Sequence, residues 1–150
     1  MDPTQSDAFA ADTHAVRAGL LRSEFDETAE ALYITSGFVY SSAEEAEAAF
    51  KDEIDKFIYS RYGNPTVAMF EERMRSIEGA EACFATASGM SAVFVALAAL
   101  CGAGSRLVAS RALFGSCFVI VDEILPRWGV ETVLVDGSDL AQWEAALDCE

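Results

Sequence analysis

The run Tyr59-Ser60-Arg61-Tyr62-Gly63-Asn64-Pro65-Thr66 and the tripeptide Ser88-Gly89-Met90 carry residue types that hold a bound anion. In an extended stretch, side chains two apart share a face, so the Tyr59 phenol and the Arg61 guanidinium can grip one phosphate between them. Ser88-Gly89-Met90 reads as a strand-to-helix junction. There the unpaired N–H groups of a first helical turn and the helix dipole converge, and a glycine lets an anion approach the backbone. Each motif alone has a plainer reading: a helix cap with a tight turn for the tripeptide, and an amphipathic surface pair for the Tyr and Arg. Their occurrence together is what points to a phosphate.

The elements that must position these residues are legible around them. Asn64 suits an N-cap and Pro65 a first helical position, while Val67, Phe70, Met74 and Ile77 recur at helical spacing until Gly79 ends the run. A shorter helical stretch spans Ala43 to Phe50. Beyond Gly79, β-like runs alternate with helical ones: 82–87 then 90–101, 106–110 then 116–127, 132–135 then 140–147. Gly102, Gly104 and Gly129 stand where helices should stop, and Asp139 where the last should start. Strands joined by helical crossovers imply a parallel α/β sheet with ligands outside the carboxyl ends of its strands. Residues 1–58 read as an acidic N-terminal arm and 59–150 as the first part of that domain. The 90–101 helix is apolar on nearly every side and needs cover all round, and the sheet edge after Val135 stays open. Both features predict the leading portion of a larger domain.

Composition bounds the partners. A formal charge of −15 and a pI near 4.2 set the 150-residue chain against nucleic acid and anionic membrane surfaces, so an anion site has to be built locally. Residues 82–105 are uncharged and long enough by count to span a bilayer. Thr86, Ser88 and Gly89 interrupt them and no Trp or Tyr marks their ends, which favours a buried strand and helix. Cys83, Cys101, Cys117 and Cys149 lack C-x-x-C spacing and sit mainly among apolar neighbours, as reduced thiols do, which places the protein in the cytoplasm. Residues 1–11 have neither a basic nor an apolar leader region. No metal-binding cluster is expected, and His14 reads as a surface residue. Glu71 and Arg75 are spaced for an i,i+4 pair.

The motif Tyr59 to Thr66, with Ser88-Gly89-Met90 downstream, resembles the pyridoxal 5'-phosphate (PLP) enzymes of cysteine and methionine metabolism, the cystathionine γ-synthase-like family. The resemblance runs from about His14 to Asp139. It implies a fold type I, aspartate aminotransferase-like large domain, here incomplete, and a homo-oligomer, expected as a homotetramer. Tyr59 and Arg61 would reach the PLP phosphate of a neighbouring subunit, while Ser88, Gly89 and Met90 would bind that of their own. Phe114 falls where the family places an aromatic ring, usually Tyr, stacked on the PLP pyridine; a buried loop anchor is the alternative. The only lysines, Lys51 and Lys56, precede the phosphate motifs and lie outside the family's Ser-x-Thr-Lys setting, so no catalytic residue is assigned in this chain. Within the family, Leu32 to Phe38, Phe114 and Asp122 to Gly129 look most like the O-succinylhomoserine sulfhydrylases. These make homocysteine for methionine biosynthesis from an activated homoserine ester and sulfide. Cystathionine γ-synthase, cystathionine lyase and methionine γ-lyase activities stay open, as does a non-catalytic phosphate-binding or assembly role if the natural protein has this length.

Overall fold

The computed structural model describes residues 9–148, which form two compact units, one running through Ala85 and the other from Thr86. Cys149 and most of the stretch read for a leader lie outside the described residues.

The first unit contains α1 (Ala11–Arg17), α2 (Ala43–Phe50) and α3 (Pro65–Glu78). Helix α3 follows its sequence signals at both ends. The Asn64 side chain accepts the Thr66 N–H at 2.9 Å, Pro65 fills the first turn, and Gly79 closes the helix at φ 62°. Met69, only 2% exposed, faces inward, and α1 packs on the same helix. Two polar ties hold that contact. His14 Nδ1 lies 2.6 Å from Ser76 Oγ, so the histidine expected at the surface is half-buried; Arg73 donates to the Ala18 carbonyl at 3.2 Å and pairs with Glu30. Gly19 allows the approach: at φ +70°, a Cβ there would sit 2.7 Å from the Glu72 Cβ. The Arg75 fork closes on Glu72 with two 2.7 Å bonds, while a Glu71 oxygen accepts the Ala85 N–H at 2.7 Å.

The second unit contains α4 (Gly89–Leu100), β1 (Arg106–Ser110), α5 (Gly115–Val119), β2 (Glu131–Val135) and α6 (Leu140–Leu147). Strands β1 and β2 are parallel, with Leu107 opposite Thr132 and Ala109 opposite Leu134, and the chain between them is a helical crossover. Leu125 is fully buried with Ile120 and Val130 beside it. Met90, Val93, Phe94 and Leu97 of α4 close over this core, and Phe94 meets Trp128 edge-on at 5.3 Å.

Two expected secondary-structure elements also change. Residues 82–87 form no strand: they have no paired neighbour among the described residues, and Ala85 spends its N–H on the Glu71 carboxylate. A strand needs a ladder as well as a pattern. The single helix expected over 116–127 starts at Gly115, then widens to a π-turn at Ile120–Ile124 and tightens to a 3-10 turn at Leu125–Trp128. Pro126 has no N–H and its ring crowds the carbonyl four residues back, so regular α geometry cannot continue through it. Helix α6 has the expected bounds, its Asp139 accepting the N–H groups of Ala141 and Gln142 at 3.0 and 3.4 Å. Among the described residues, no helix is long and apolar enough to cross a membrane.

Candidate functional site

In the first unit the Tyr59 to Thr66 run is laced to the segment 31–37. Gly37 and Tyr59 form an antiparallel bridge, and Ser60 donates its N–H to Ser36 O at 2.9 Å and its hydroxyl to Thr35 O. Buried Asn64, 7% exposed, donates to Tyr33 O and Ser60 Oγ, both at 2.9 Å. Thr66 Oγ1 accepts the Tyr33 N–H at 2.9 Å and donates to Ala31 O at 3.4 Å. These bonds leave Tyr59 and Arg61 outward on a braced loop, and the stretch expected to be extended is instead a turn, with the Tyr62 and Gly63 N–H groups on Tyr59 O at 2.9 and 3.1 Å. The Arg61 guanidinium lies 5.3 Å from the Tyr59 ring and 5.1 Å from the Tyr62 ring, with its tip 3.5 Å from the Tyr62 hydroxyl. No described carboxylate lies within ion-pairing distance of it, although acids outnumber bases by 25 to 10 in the sequence. Aromatic faces orient a guanidinium while leaving its charge available to an anion.

In the second unit Ser88 caps α4, its hydroxyl accepting the Ser91 N–H at 3.1 Å. The Gly89 and Met90 N–H groups have no protein acceptor among the described residues. A Cβ built on Gly89 would meet nothing within 4 Å, so this first turn opens on free space. A phosphate fits such a turn: two free donors, a helix dipole and no side chain in the way. Helix α4 returns to β1 through residues 101–105 and packs along the core, which sets its first turn toward the carboxyl edge of the strands. The loop after β1 leaves from that same edge and carries Phe114, which is 73% exposed among the described residues. The loop after β2 approaches it, with a Cβ on Gly137 falling 2.6 Å from Ser110 Oγ. In this second loop, the Ser138 hydroxyl and N–H hold the Asp136 carboxyl below its ordinary range, with the charge of Arg111 adding to them.

The residues expected at the site thus group as follows. Tyr59 and Arg61 meet in one unit, Ser88, Gly89 and Met90 form one helix start in the other, and Phe114 lies in the latter on the loop after β1. Both lysines are committed elsewhere, Lys51 to Glu47 at 2.5 Å and Lys56 to Glu45 at 2.6 Å, with Lys56 also over the Tyr40 ring. The partners of Glu45 hold its carboxyl down to about 2, the Lys56 ammonium first and the Ser41 hydroxyl and N–H after it. No group of residues suited to a metal ion occurs among the described residues. Sequence reasoning missed Ser60, Tyr62 and Thr66, and read Asn64 only as a cap. The available signal was four polar side chains within a run already dense in chemistry.

The Cys/Met metabolism PLP-dependent enzyme family model matches residues 12–150. The chain is 69% identical over 135 residues to an O-succinylhomoserine sulfhydrylase of Mycobacterium tuberculosis, covering 90% of this chain and 33% of that protein. A Pseudomonas aeruginosa protein of the same name is 47% identical, covering 91% and 34%, and an L-methionine gamma-lyase of Porphyromonas gingivalis 36% identical, covering 90% and 34%. The chain therefore spans about a third of the length of these relatives. Among solved structures, an O-acetylhomoserine (thiol)-lyase, so described, from Campylobacter jejuni superposes with a TM-score of 0.85 at 26% identity, covering 93% of this chain and 34% of that one. It carries N'-pyridoxyl-lysine-5'-monophosphate. A cystathionine gamma-lyase from Lactobacillus plantarum superposes with a TM-score of 0.78 at 28% identity, covering 93% and 34%. The fold is that of the PLP-dependent fold type I enzymes, and the cofactor is pyridoxal 5'-phosphate. Matched by that family's model over residues 12–150, the chain belongs to the Cys/Met metabolism PLP-dependent enzyme family.

Proposed function

We propose that this chain is the N-terminal portion of an O-succinylhomoserine sulfhydrylase, which makes homocysteine from O-succinylhomoserine and sulfide in the cytoplasm. The observation that carries the reading is the 69% identity to the Mycobacterium tuberculosis enzyme against 36% to a methionine gamma-lyase. In the whole enzyme, residues 1–58 serve as an arm and 59–150 open the cofactor domain.

The Gly89 and Met90 N–H groups hold the PLP phosphate, with the Ser88 hydroxyl keeping the turn in shape. Tyr59 and Arg61 complete the grip from a neighbouring subunit of a homo-oligomer, Arg61 supplying the charge that the acidic chain otherwise lacks there. Phe114 lies against the cofactor ring as an apolar face without a phenol, so proton transfer falls to other groups. When bound, PLP supplies the electron sink for replacing succinate by sulfide. The lysine that anchors it lies in the remaining two-thirds of the protein, since Lys51 and Lys56 are held in ion pairs on the first unit. This portion alone is accordingly inactive.

The test is a direct comparison of substrates with the protein purified from its native source. Sulfide-dependent homocysteine formation from O-succinylhomoserine, well above methionine cleavage, is expected. Efficient release of methanethiol from methionine with little reaction of the succinyl ester would assign the gamma-lyase activity instead.

A further inference from the structure

We propose that Ser60 and Asn64 are positioning residues for the anion grip of Tyr59 and Arg61, an inference that rests on the PLP-phosphate reading of that grip. The two gripping side chains are exposed, and the rings that orient the Arg61 guanidinium, Tyr59 and Tyr62, belong to the same short run. Their geometry must come from the backbone that carries them. That backbone closes a turn on Tyr59 O, which accepts the Tyr62 and Gly63 N–H groups, and it is tied to the rest of the unit through Ser60: between the two side chains, Ser60 uses its N–H on Ser36 O, its hydroxyl proton on Thr35 O and its hydroxyl oxygen on Asn64 Nδ2.

Asn64 closes the circuit. It is a buried polar residue with its capacity spent on three partners, each at 2.9 Å: Tyr33 O and Ser60 Oγ through Nδ2, and the Thr66 N–H through Oδ1. A buried amide so committed has one orientation available, because turning it would set a donor against the Thr66 N–H and an acceptor against a carbonyl. The rigid start of α3 is thereby transmitted through Asn64 to Ser60. The result is a hydrogen-bonded turn, with the Tyr62 N–H on Tyr59 O at 2.9 Å, that holds the guanidinium 5.3 Å from the Tyr59 ring.

The cap and the brace separate by substitution. Asn64→Asp keeps the oxygen that accepts the Thr66 N–H and loses both donors, whereas Ser60→Ala leaves the cap untouched and removes the link. The experiment measures PLP release from the full-length holoenzyme by the loss of its bound-cofactor absorbance on dilution into a PLP scavenger. Ser60→Ala and Asn64→Asp should each release PLP about threefold to tenfold faster, the scale of one lost hydrogen bond. Ser60→Thr, which restores the hydroxyl, should recover the slow rate. In a Tyr59→Phe, Arg61→Ala background, Ser60→Ala should add nothing, because it acts only through those side chains. Equal acceleration in both backgrounds would show general loosening and overturn the inference. So would wild-type release from Ser60→Ala when Arg61→Ala alone releases fast, leaving the grip itself intact. Unchanged release in the Tyr59→Phe, Arg61→Ala protein would overturn the phosphate reading, and this inference with it.

Discussion

Arg61 holds its charge between two tyrosine rings rather than against any described carboxylate, an unusual economy in so acidic a chain. A cation kept unpaired is available to a phosphate without first breaking an ion pair. Arg61→Ala removes a charge-assisted contact worth about 1.5–3 kcal/mol, so PLP should leave the full enzyme roughly ten- to hundredfold faster. Spectroscopic titration of the cofactor reads this, and unchanged affinity would take Arg61 out of the site. Phe114→Tyr is expected to be structurally silent, because the ring is exposed and a hydroxyl added to it meets solvent. Its unfolding free energy should stay within about 0.5 kcal/mol of wild type. Glu45 carries the clearest pH signature. The Lys56 ammonium and the Ser41 donors lower its carboxyl from the ordinary value of 4.5 to about 2, so its folded form binds a proton less readily than the unfolded chain does. That contribution is present above pH 4.5 and is lost as the pH falls toward 2. Lys56→Met should reduce the acid-induced loss of structure in that window, and circular dichroism against pH tests it. Tyr59, Arg61 and Gly89 stand out as candidates in sequence because their residue types suit anions directly. Ser60 and Asn64 do not, since an amide or a hydroxyl acquires a role only from partners at 31–37 that no local spacing reveals.

At the scale of elements, the helices with explicit ends were the legible ones. α3 has Asn-Pro at its start and Gly at its stop, and α6 has Asp139 ahead of it; both formed where the end signals put them. The 82–87 run misled because an apolar stretch declares burial, while a strand also needs a neighbour to bond to. The crossover through Pro126 misled differently: apolar periodicity continues across residues whose backbone ladder cannot. That crossover ends at Gly129 at φ +80°, where a Cβ would lie 3.2 Å from the Ala103 Cβ. Gly129→Ala therefore combines a left-handed backbone with a close contact and should cost about 1–2 kcal/mol of stability. A lowered midpoint in chemical unfolding of the full enzyme checks this. Gly89→Ala makes the opposite case, since its Cβ has open space, and any loss there should fall on phosphate binding instead of folding.

At the scale of the whole chain, a conflict remains between what the sequence hides and what this length can cover. Helix α4 is apolar but for Ser91 in its first turn, yet none of its residues is buried, with Leu100 84% and Val95 46% exposed. The same unit has a sheet of two strands, each with an outer edge unpaired among the described residues. In the first unit, Leu32, Ile34 and Val39 stand 73%, 92% and 88% exposed. Apolar surface of this extent drives association, at about 25 cal/mol for each Å² removed from water. The charge of −15 opposes it only over the range that salt leaves unscreened. Produced as the 150 residues alone, the chain should self-associate, and more strongly as salt is added, because screening weakens repulsion without weakening the apolar attraction. Light scattering across a salt series reads both effects. A monomer at all salt concentrations, unfolding in one sharp transition, would show that this portion covers its own apolar faces and needs no further chain to do so.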